Sequence, residues 1–451
     1  MEQIADIKKL YFLGIGGIGM SALARYFHVR GVEVTGYDRT PSPLTDTLIK
    51  EGISIHFEDN PALIPADISA VIYTPAIPKT LKELQYLQQK NIPILKRSSM
   101  LGMISDAKTT FAVAGTHGKT STTAMISYLL HAEKSISAFI GGISANFDSN
   151  FVDDTNADIV VVEADEFDRS FLTLHPHIAV ITAMDADHLD IYGTQQSLEH
   201  SFNDFANQID KNGYLITKPH LLDKLSVECN IVTYSYNDNT CDYYAKNIRF
   251  ENGVQQFDIQ CQNVVLKDVT LAVAGKHNIE NAVASVAVAT LAGISTEAIK
   301  KQLATYKGVK RRFEYIIQRN DFVYIDDYAH HPKEISTCID SAKILYPDKK
   351  ICGVFQPHLY TRTRDFADDF AKSLSKLDSV ILLDIYPARE LPIEGITSEF
   401  LLDKITCKDK RVLQKEELID YLSVHQPDVL LTMGAGDIDR LVTKIKERFN
   451  E

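Results

Sequence analysis

The chain has 451 residues, with 47 Lys and Arg against 60 Asp and Glu, a formal net charge of −13. At the usual ~100–200 residues per domain this length predicts two to four domains, and 45% hydrophobic with 24% charged residues is a globular composition. The acidic balance argues against a nucleic-acid or anionic-membrane surface, so anionic ligands must be held by local loops and cations. Six scattered cysteines form no C-x-x-C pair, which predicts neither a disulfide framework nor a structural zinc and fits a reducing compartment. The N-terminus has no basic-then-apolar leader, and no apolar run approaches the ~18 residues of a membrane span. A cytoplasmic protein without membrane insertion, monomer or homodimer, is therefore expected.

Residues 1–105 alternate strands and helices. A short strand at 10–13 runs into Gly14-Ile15-Gly16-Gly17-Ile18-Gly19-Met20, followed by a helix at 21–30 and a second strand at 33–38. Gly14, Gly16 and Gly19 satisfy G-x-G-x-x-G, and Asp38 closes the second strand. In a strand–turn–helix context this is a dinucleotide fingerprint. It predicts a diphosphate at a helix N-terminus and a ribose hydroxyl near Asp38. NAD, FAD and a UDP-sugar all satisfy it, and on the motif alone NAD leads. Further strands are read at 70–74 and 92–95.

Residues 106–311 carry the stretch around which the chain is organised. An apolar strand at 111–114 feeds Gly115-Thr116-His117-Gly118-Lys119-Thr120-Ser121, and a helical pattern leaves it. Free N–H groups and the positive end of the helix converge where a phosphate can sit. Lys119 supplies a point charge for β and γ oxygens, and the Thr120 hydroxyl can ligate Mg²⁺. A strict Walker A motif would place glycine where this chain has Val113. Two more apolar strands end in hard ligands: 159–162 runs into Glu163-Ala164-Asp165-Glu166, and 178–182 into Asp185-Ala186-Asp187-His188-Leu189-Asp190. Carboxylates beside a phosphate loop are what Mg²⁺-dependent phosphoryl transfer needs. Between 213 and 274 short alternating strands predict an antiparallel meander. Gly275-Lys276-His277-Asn278 then opens a helix to about Leu291, where Asn278 either caps the helix or reaches a purine.

A basic linker at 307–314 leads into a third strand–helix alternation, with strands at 322–325, 351–355, 380–383 and 429–433. Polar residues gather at their carboxyl ends, where open α/β sheets bind ligands. They form four loops, at 326–332, 356–362, 384–390 and 434–437.

The segments 14–20 (GIGGIGM), 115–123 (GTHGKTSTT), 163–168 (EADEFD), 187–190 (DHLD), 275–281, 311–314, 326–332 (DDYAHHP), 355–366 (FQPHLYTRTRDF) and 385–392 (IYPARELP), in this order, resemble the Mur ligase family. The likeness is greatest to the branch that adds the first amino acid of the peptidoglycan stem. It implies an α/β protein of three domains. These are a Rossmann-like UDP-sugar-binding domain (1–105), a P-loop ATPase-like ATP-binding domain with extra antiparallel strands (106–311) and a Rossmann-like amino-acid-binding domain (312–451), closing about the 106 and 312 linkers. It implies ATP-dependent ligation of L-alanine to the carboxylate of UDP-N-acetylmuramate through an acyl phosphate, and it makes the first glycine motif a UDP-sugar site. By position, Gly14, Gly16, Gly17, Gly19, Met20 and Asp38 would meet the UDP-sugar. The phosphate loop from Gly115 to Ser121 would cradle ATP, with Lys119 on the β and γ phosphates, Asn278 at adenine, and Arg312 and Asp327 also on ATP. Thr120 and Glu163 would hold one Mg²⁺ and His188 a second. Tyr328, His330, His358 and Arg362 would line the alanine region, with His330 a candidate proton acceptor. Two departures are visible. Leu359 stands where many relatives carry arginine, and no lysine occupies the Phe202-Asn203-Asp204 neighbourhood, where branches adding later residues use a carbamylated lysine.

Overall fold

A computed structural model describes residues 7–154, 156–185, 189–251, 254–388 and 390–450. The N-terminal sheet contains β1 (Lys9–Leu13), β2 (Glu33–Tyr37), β3 (Ser54–His56), β4 (Ala70–Tyr73) and β5 (Ile94–Lys96), in the order β3-β2-β1-β4-β5. All its pairings are parallel. Strand order reverses between β1 and β4, which opens a crevice outside their carboxyl ends, where the glycine turn lies. The strand β3 was not read from sequence, and the first helix, Ile18–His28, begins three residues before the expected 21.

The second sheet has ten strands: β6 (Thr109–Ala114), β7 (Ile136–Ser144), β8 (Ser149–Asp153), β9 (Ile159–Glu163), β10 (Ile178–Ile181), β11 (Tyr214–Thr217), β12 (Asn230–Ser235), β13 (Tyr243–Glu251), β14 (Val254–Cys261) and β15 (Val264–Leu271). Its order is β15-β14-β13-β12-β11-β10-β6-β9-β7-β8. The meander expected over 213–274 is corrected in part. β11 and β12 extend the parallel sheet from β10, and only β13, β14 and β15 run antiparallel to one another. The reason is the connection: the helix Pro219–Leu222 between β11 and β12 returns the chain to the starting edge, which a hairpin cannot do.

Residues up to Val273 together with His277–Gly308 form one compact unit. Within it, apolar packing runs across the expected 105/106 boundary. Phe12 and Phe27 share a buried cluster with Phe139, Val162, Phe171 and Phe202. The buried Arg25 pairs with Glu51 at 2.7 Å and also bonds Asn150, while Arg30 reaches Asp153 at 2.8 Å. A hinge at 106 is therefore not what this packing provides.

The other unit comprises Ala274–Lys276 and the chain from Val309. Its sheet holds β16 (Glu314–Gln318), β17 (Val323–Asp327), β18 (Ile351–Phe355), β19 (Ser379–Leu382), β20 (Asp409–Val412) and β21 (Val429–Met433), ordered β16-β17-β21-β18-β19-β20. Only β16 is antiparallel. Apolar residues on both pleat faces are buried: Val323 and Ile325 lie in one core layer, Tyr324 and Leu430 in the other. Such two-sided burial is how a doubly wound parallel sheet differs from a one-faced one. Among the described residues no helix is long and apolar enough to cross a membrane.

Candidate functional site

The phosphate loop is fixed by close backbone approaches that only glycine permits. Gly115 has φ +132°, and a Cβ there would fall 2.1 Å from the Thr182 hydroxyl oxygen. That hydroxyl lies 2.5 Å from the His117 carbonyl and 3.1 Å from the Ala114 carbonyl, tying the loop to the end of β10. Thr116 N–H donates to the Ala183 carbonyl at 3.0 Å, and the Thr116 hydroxyl accepts from Asp185 N–H at 3.1 Å. Gly118, at φ +79°, caps the helix Lys119–Leu130. The Ser121 carbonyl, one turn in, accepts from Tyr306 at 3.2 Å. His117 Nε2 sits 3.5 Å from Asp185. Gly115→Ala combines a forbidden left-handed backbone with this overlap. Its expected result is a destabilisation of about 2–4 kcal/mol, read by denaturant melts, together with loss of nucleotide binding.

Lys119 follows the loop. Its ammonium donates to the Gly115 carbonyl at 2.6 Å and to Glu166 Oε1 at 2.7 Å. Burial works to lower its pKa, but the carboxylates of Glu166, Glu163 and Asp165 outweigh that and hold it above the ordinary lysine value. Glu166 is wholly buried, and burial pushes its carboxyl up against the pull of Lys119. The Thr120 hydroxyl donates to Glu163 Oε1 at 3.1 Å, while Glu163 Oε2 accepts from Gly141 N–H at 3.0 Å. A Cβ on Gly141 would fall 2.2 Å from that oxygen, so a larger residue here would have to displace the Glu163 carboxylate.

Thr120 and Glu163 thus form a pair of hard oxygen donors at the phosphate-loop helix, which suits Mg²⁺. That ion takes one or two protein carboxylates and completes its shell with phosphate oxygens and water. Among the described residues no group of three or more His, Cys, Asp and Glu gathers to hold a metal. His188, expected at a second ion, lies outside the described residues, as does Asp187 of the same acidic run. Asn278 is buried near the start of the helix Lys276–Leu291. Its neighbour His277 is lowered by burial to about 4 and is neutral at pH 7. Asn281, one turn further, points its Oδ1 to within 3.1 Å of where a Gly118 Cβ would be.

At the N-terminal glycine turn, Asp38 is engaged by the protein itself. Its carboxylate accepts from Gly16 N–H at 2.8 Å and Thr40 N–H at 3.2 Å. Gly14, at φ +84°, sends its N–H to the Tyr37 carbonyl at 2.8 Å. Beside the turn opens a cavity of about 310 Å³ whose lining includes Gly17, Gly19 and Met20 together with Gly141, Glu163 and Asp165. The glycine turn and the metal-type carboxylate therefore face one space within one compact unit.

In the second unit the expected alanine-region residues Tyr328, His330 and His358 come together at the carboxyl ends of β17 and β18. Ring centroids are 5.2 Å apart for Tyr328 and His330 and 6.1 Å for His330 and His358. His330 Nδ1 lies 3.0 Å from the Tyr328 carbonyl. Burial lowers the His330 pKa, Glu334 opposes this, and the positive charge of Arg362 adds to the lowering, so the ring is neutral at pH 7. Arg362 is thereby placed in the same field. Tyr386 stacks on His358 at 5.8 Å and receives the Leu359 N–H at 3.0 Å. Leu359 takes φ +69°, a strained value for leucine that these bonds hold in place. Arg389 of the 385–392 motif lies outside the described residues. Asp327, expected at ATP, accepts from Phe313 N–H and Ala329 N–H, both at 2.7 Å. Burial, against the pull of Arg312, raises it to about 6. Arg312 itself lies over the Tyr328 ring at 5.2 Å.

The sequence matches the Mur ligase family, catalytic domain, over residues 9–109, the Mur ligase middle domain over 113–289, and the Mur ligase, glutamate ligase domain over 311–436. A UDP-N-acetylmuramate–L-alanine ligase of Flavobacterium johnsoniae is 49% identical, covering 100% of this chain and 99% of its own. The chain belongs to the Mur ligase family. A ligase of the same description from Porphyromonas gingivalis is 47% identical over 98% of this chain and 99% of its own. Among solved structures, the UDP-N-acetylmuramate-alanine ligase MurC of Thermotoga maritima aligns with a TM-score of 0.84 at 29% identity, covering 98% of this chain and 99% of that one. A murein peptide ligase of Psychrobacter arcticus aligns at 0.71 with 23% identity, a likeness of fold. NAD, the leading reading of the first glycine motif taken alone, gives way to the nucleotide-sugar expectation of this Mur ligase.

Sequence reading missed Glu166, Arg97, Asn281 and Tyr386 as members of these clusters. Glu166 stood in a quoted acidic run, and Asn281 and Tyr386 in quoted segments. Only Arg97, beside β5, carried no motif signal.

Proposed function

We infer that the chain joins L-alanine to the carboxylate of UDP-N-acetylmuramate, with ATP converted to ADP and phosphate, in peptidoglycan precursor synthesis. The observation that carries the reading is the cavity lined both by the glycine turn and by Glu163, partner of the phosphate-loop Thr120. It supports placing an acid group delivered by the turn beside a triphosphate. The full-length likeness to alanine-adding ligases points the same way.

A carboxylate resists attack by an amine because oxide is a poor leaving group. Transfer of the γ-phosphoryl group to a carboxylate oxygen makes an acyl phosphate. The neutral alanine amine then bonds to its carbonyl carbon, and the carbon–oxygen bond to phosphate breaks. Such catalysis is mostly positioning and neutralisation of charge. In this reading the loop amides and Lys119 hold the β and γ phosphates, and Asn278 meets adenine. Thr120 and Glu163 would hold Mg²⁺, which when bound offsets charge on the phosphate oxygens; a second ion rests on His188. Arg312 and Asp327 are assigned to the nucleotide, and Arg362 with Tyr328 and His358 to the amino acid. His330, kept neutral by burial, is the assigned proton acceptor. The domain ranges 1–105, 106–311 and 312–451 and a cytoplasmic setting belong to the same proposal.

The deciding experiment measures phosphate release with ATP and Mg²⁺, testing alanine, serine, glycine and a stem tripeptide, each with and without UDP-N-acetylmuramate. Release that needs both alanine and the UDP-sugar is expected; release without the UDP-sugar refutes the reading. Arg362→Ala is expected to raise the alanine KM by about tenfold or more, the worth of a charge-assisted hydrogen bond. The ATP KM should stay within about twofold. Equal rises in both would remove Arg362 from the amino-acid site.

A further inference from the structure

The glycine turn leaves a defined set of donors unused. The N–H groups of Gly14 and Ile15 go to the Tyr37 carbonyl, that of Gly17 to the Gly14 carbonyl, and that of Gly16 to Asp38. The first helical bond runs from Ser21 N–H to the Gly17 carbonyl at 2.8 Å. Among the described residues, the N–H groups of Ile18, Gly19 and Met20 therefore meet no acceptor, as the first turn of a helix dictates.

Arg97 opens the helix Arg97–Asp106 and lays its guanidinium on this turn. A Cβ on Gly19 would fall 2.7 Å from Arg97 Nη1. The other arm, Nη2, stands 3.6 Å from Asp165, beyond a good hydrogen bond. Arg97, Gly19, Met20, Thr74 and Asp165 line the same 310 Å³ cavity. A guanidinium packed on the positive end of a helix is unfavourable by itself, and Asp165 offsets it only loosely. Three amides and a planar fork of donors converging on one space match an anion with several oxygens on adjacent centres.

We propose that Arg97 clamps the diphosphate of the UDP-sugar, exchanging its loose contact with Asp165 for phosphate oxygens. This rests on the UDP-sugar reading above. The arginine cannot be replaced by lysine without loss, because a point charge does not span two phosphate oxygens as a fork does.

The test is calorimetric titration of the full-length protein with uridine, UDP and UDP-N-acetylmuramate, for wild type, Arg97→Ala, Arg97→Lys, Asp165→Asn and the Arg97→Ala/Asp165→Asn double variant. Arg97→Ala should weaken UDP by about tenfold or more while changing uridine by less than about twofold. Arg97→Lys, which keeps the charge and the fold, should fall between. Asp165→Asn should bind UDP as well as wild type or more tightly. Unchanged UDP binding by Arg97→Ala, or an equal loss for uridine, overturns the clamp. So does recovery of wild-type affinity in the double variant, which would make Arg97 only a counter-charge for Asp165. If the wild type binds neither UDP nor UDP-N-acetylmuramate, the UDP-sugar reading itself fails.

Discussion

Lys119→Ala is expected to cut ADP formation by about a hundred- to a thousandfold while UDP-N-acetylmuramate still binds, and to lower stability as well. The catalytic loss follows from removing the one side-chain cation on the phosphate loop. Losing a single preorganised charge partner of a developing anion costs on the order of a hundred- to a thousandfold in turnover. The stability loss has a separate cause. Glu166 is wholly buried, and its Oε1 sits 2.7 Å from the ammonium. Truncating one member leaves a carboxyl in an apolar setting without its cation, a change typically worth about 3–5 kcal/mol. Adding Glu166→Gln to Lys119→Ala removes the stranded charge, so the double variant should regain much of the lost stability and none of the lost turnover. Recovery of turnover would show that Lys119 serves the fold alone. Chemical denaturation and a coupled ADP assay read the two quantities independently.

Glu163→Gln is the second large effect, and it isolates charge from shape. A glutamine carbonyl can accept the Gly141 N–H, now bonded at 3.0 Å, while its amide donates to the Thr120 hydroxyl, now at 3.1 Å. Both contacts survive, so stability should stay within about 1 kcal/mol of wild type. Turnover should nevertheless fall on the order of a hundredfold at low Mg²⁺. The deficit should narrow as Mg²⁺ is raised, because a neutral amide is a weaker ligand for a hard dication. A loss that ignores Mg²⁺ concentration would assign Glu163 a structural role only. Glu163→Ala, by contrast, would free the Gly141 N–H and open a gap, confounding the two effects.

What sequence conveyed was local chemistry. The turns at Gly14 and Gly115 were legible because an apolar run, glycines and a helical pattern occupy consecutive positions, and chain order alone puts backbone amides at one point. The loops after β17 and β18 were legible for the same reason. Pairings between distant segments were not. The Lys119–Glu166 contact depends on how the chain leaves β9 over the three residues after Glu163, just before it turns through Asp168 and Arg169 at φ 52° and 55°. No side-chain pattern announces those values. β7 and β8 escaped notice because β7 carries Gly141 and Gly142 and lacks clean alternation. The direction of β11 and β12 depended on a one-turn helix between them rather than on their own residues, which read the same in either direction. Arg97 was invisible because its place beside Gly19 comes from the N-terminal sheet, which sets β5 next to β4 and one strand from β1, a tertiary fact.

The apolar cluster that joins Phe12 and Phe27 to Phe139 and Phe202 has a bearing on how the molecule can be taken apart. A fragment ending near 105 would present to water the side chains that now meet the ten-stranded sheet, and so would its complement. Both pieces should be sticky and poorly soluble alone, and protease nicking after denaturant pretreatment should release them in concert. The N-terminal sheet is in that sense not a detachable cassette: it and its neighbour should be expressed and should unfold as one object.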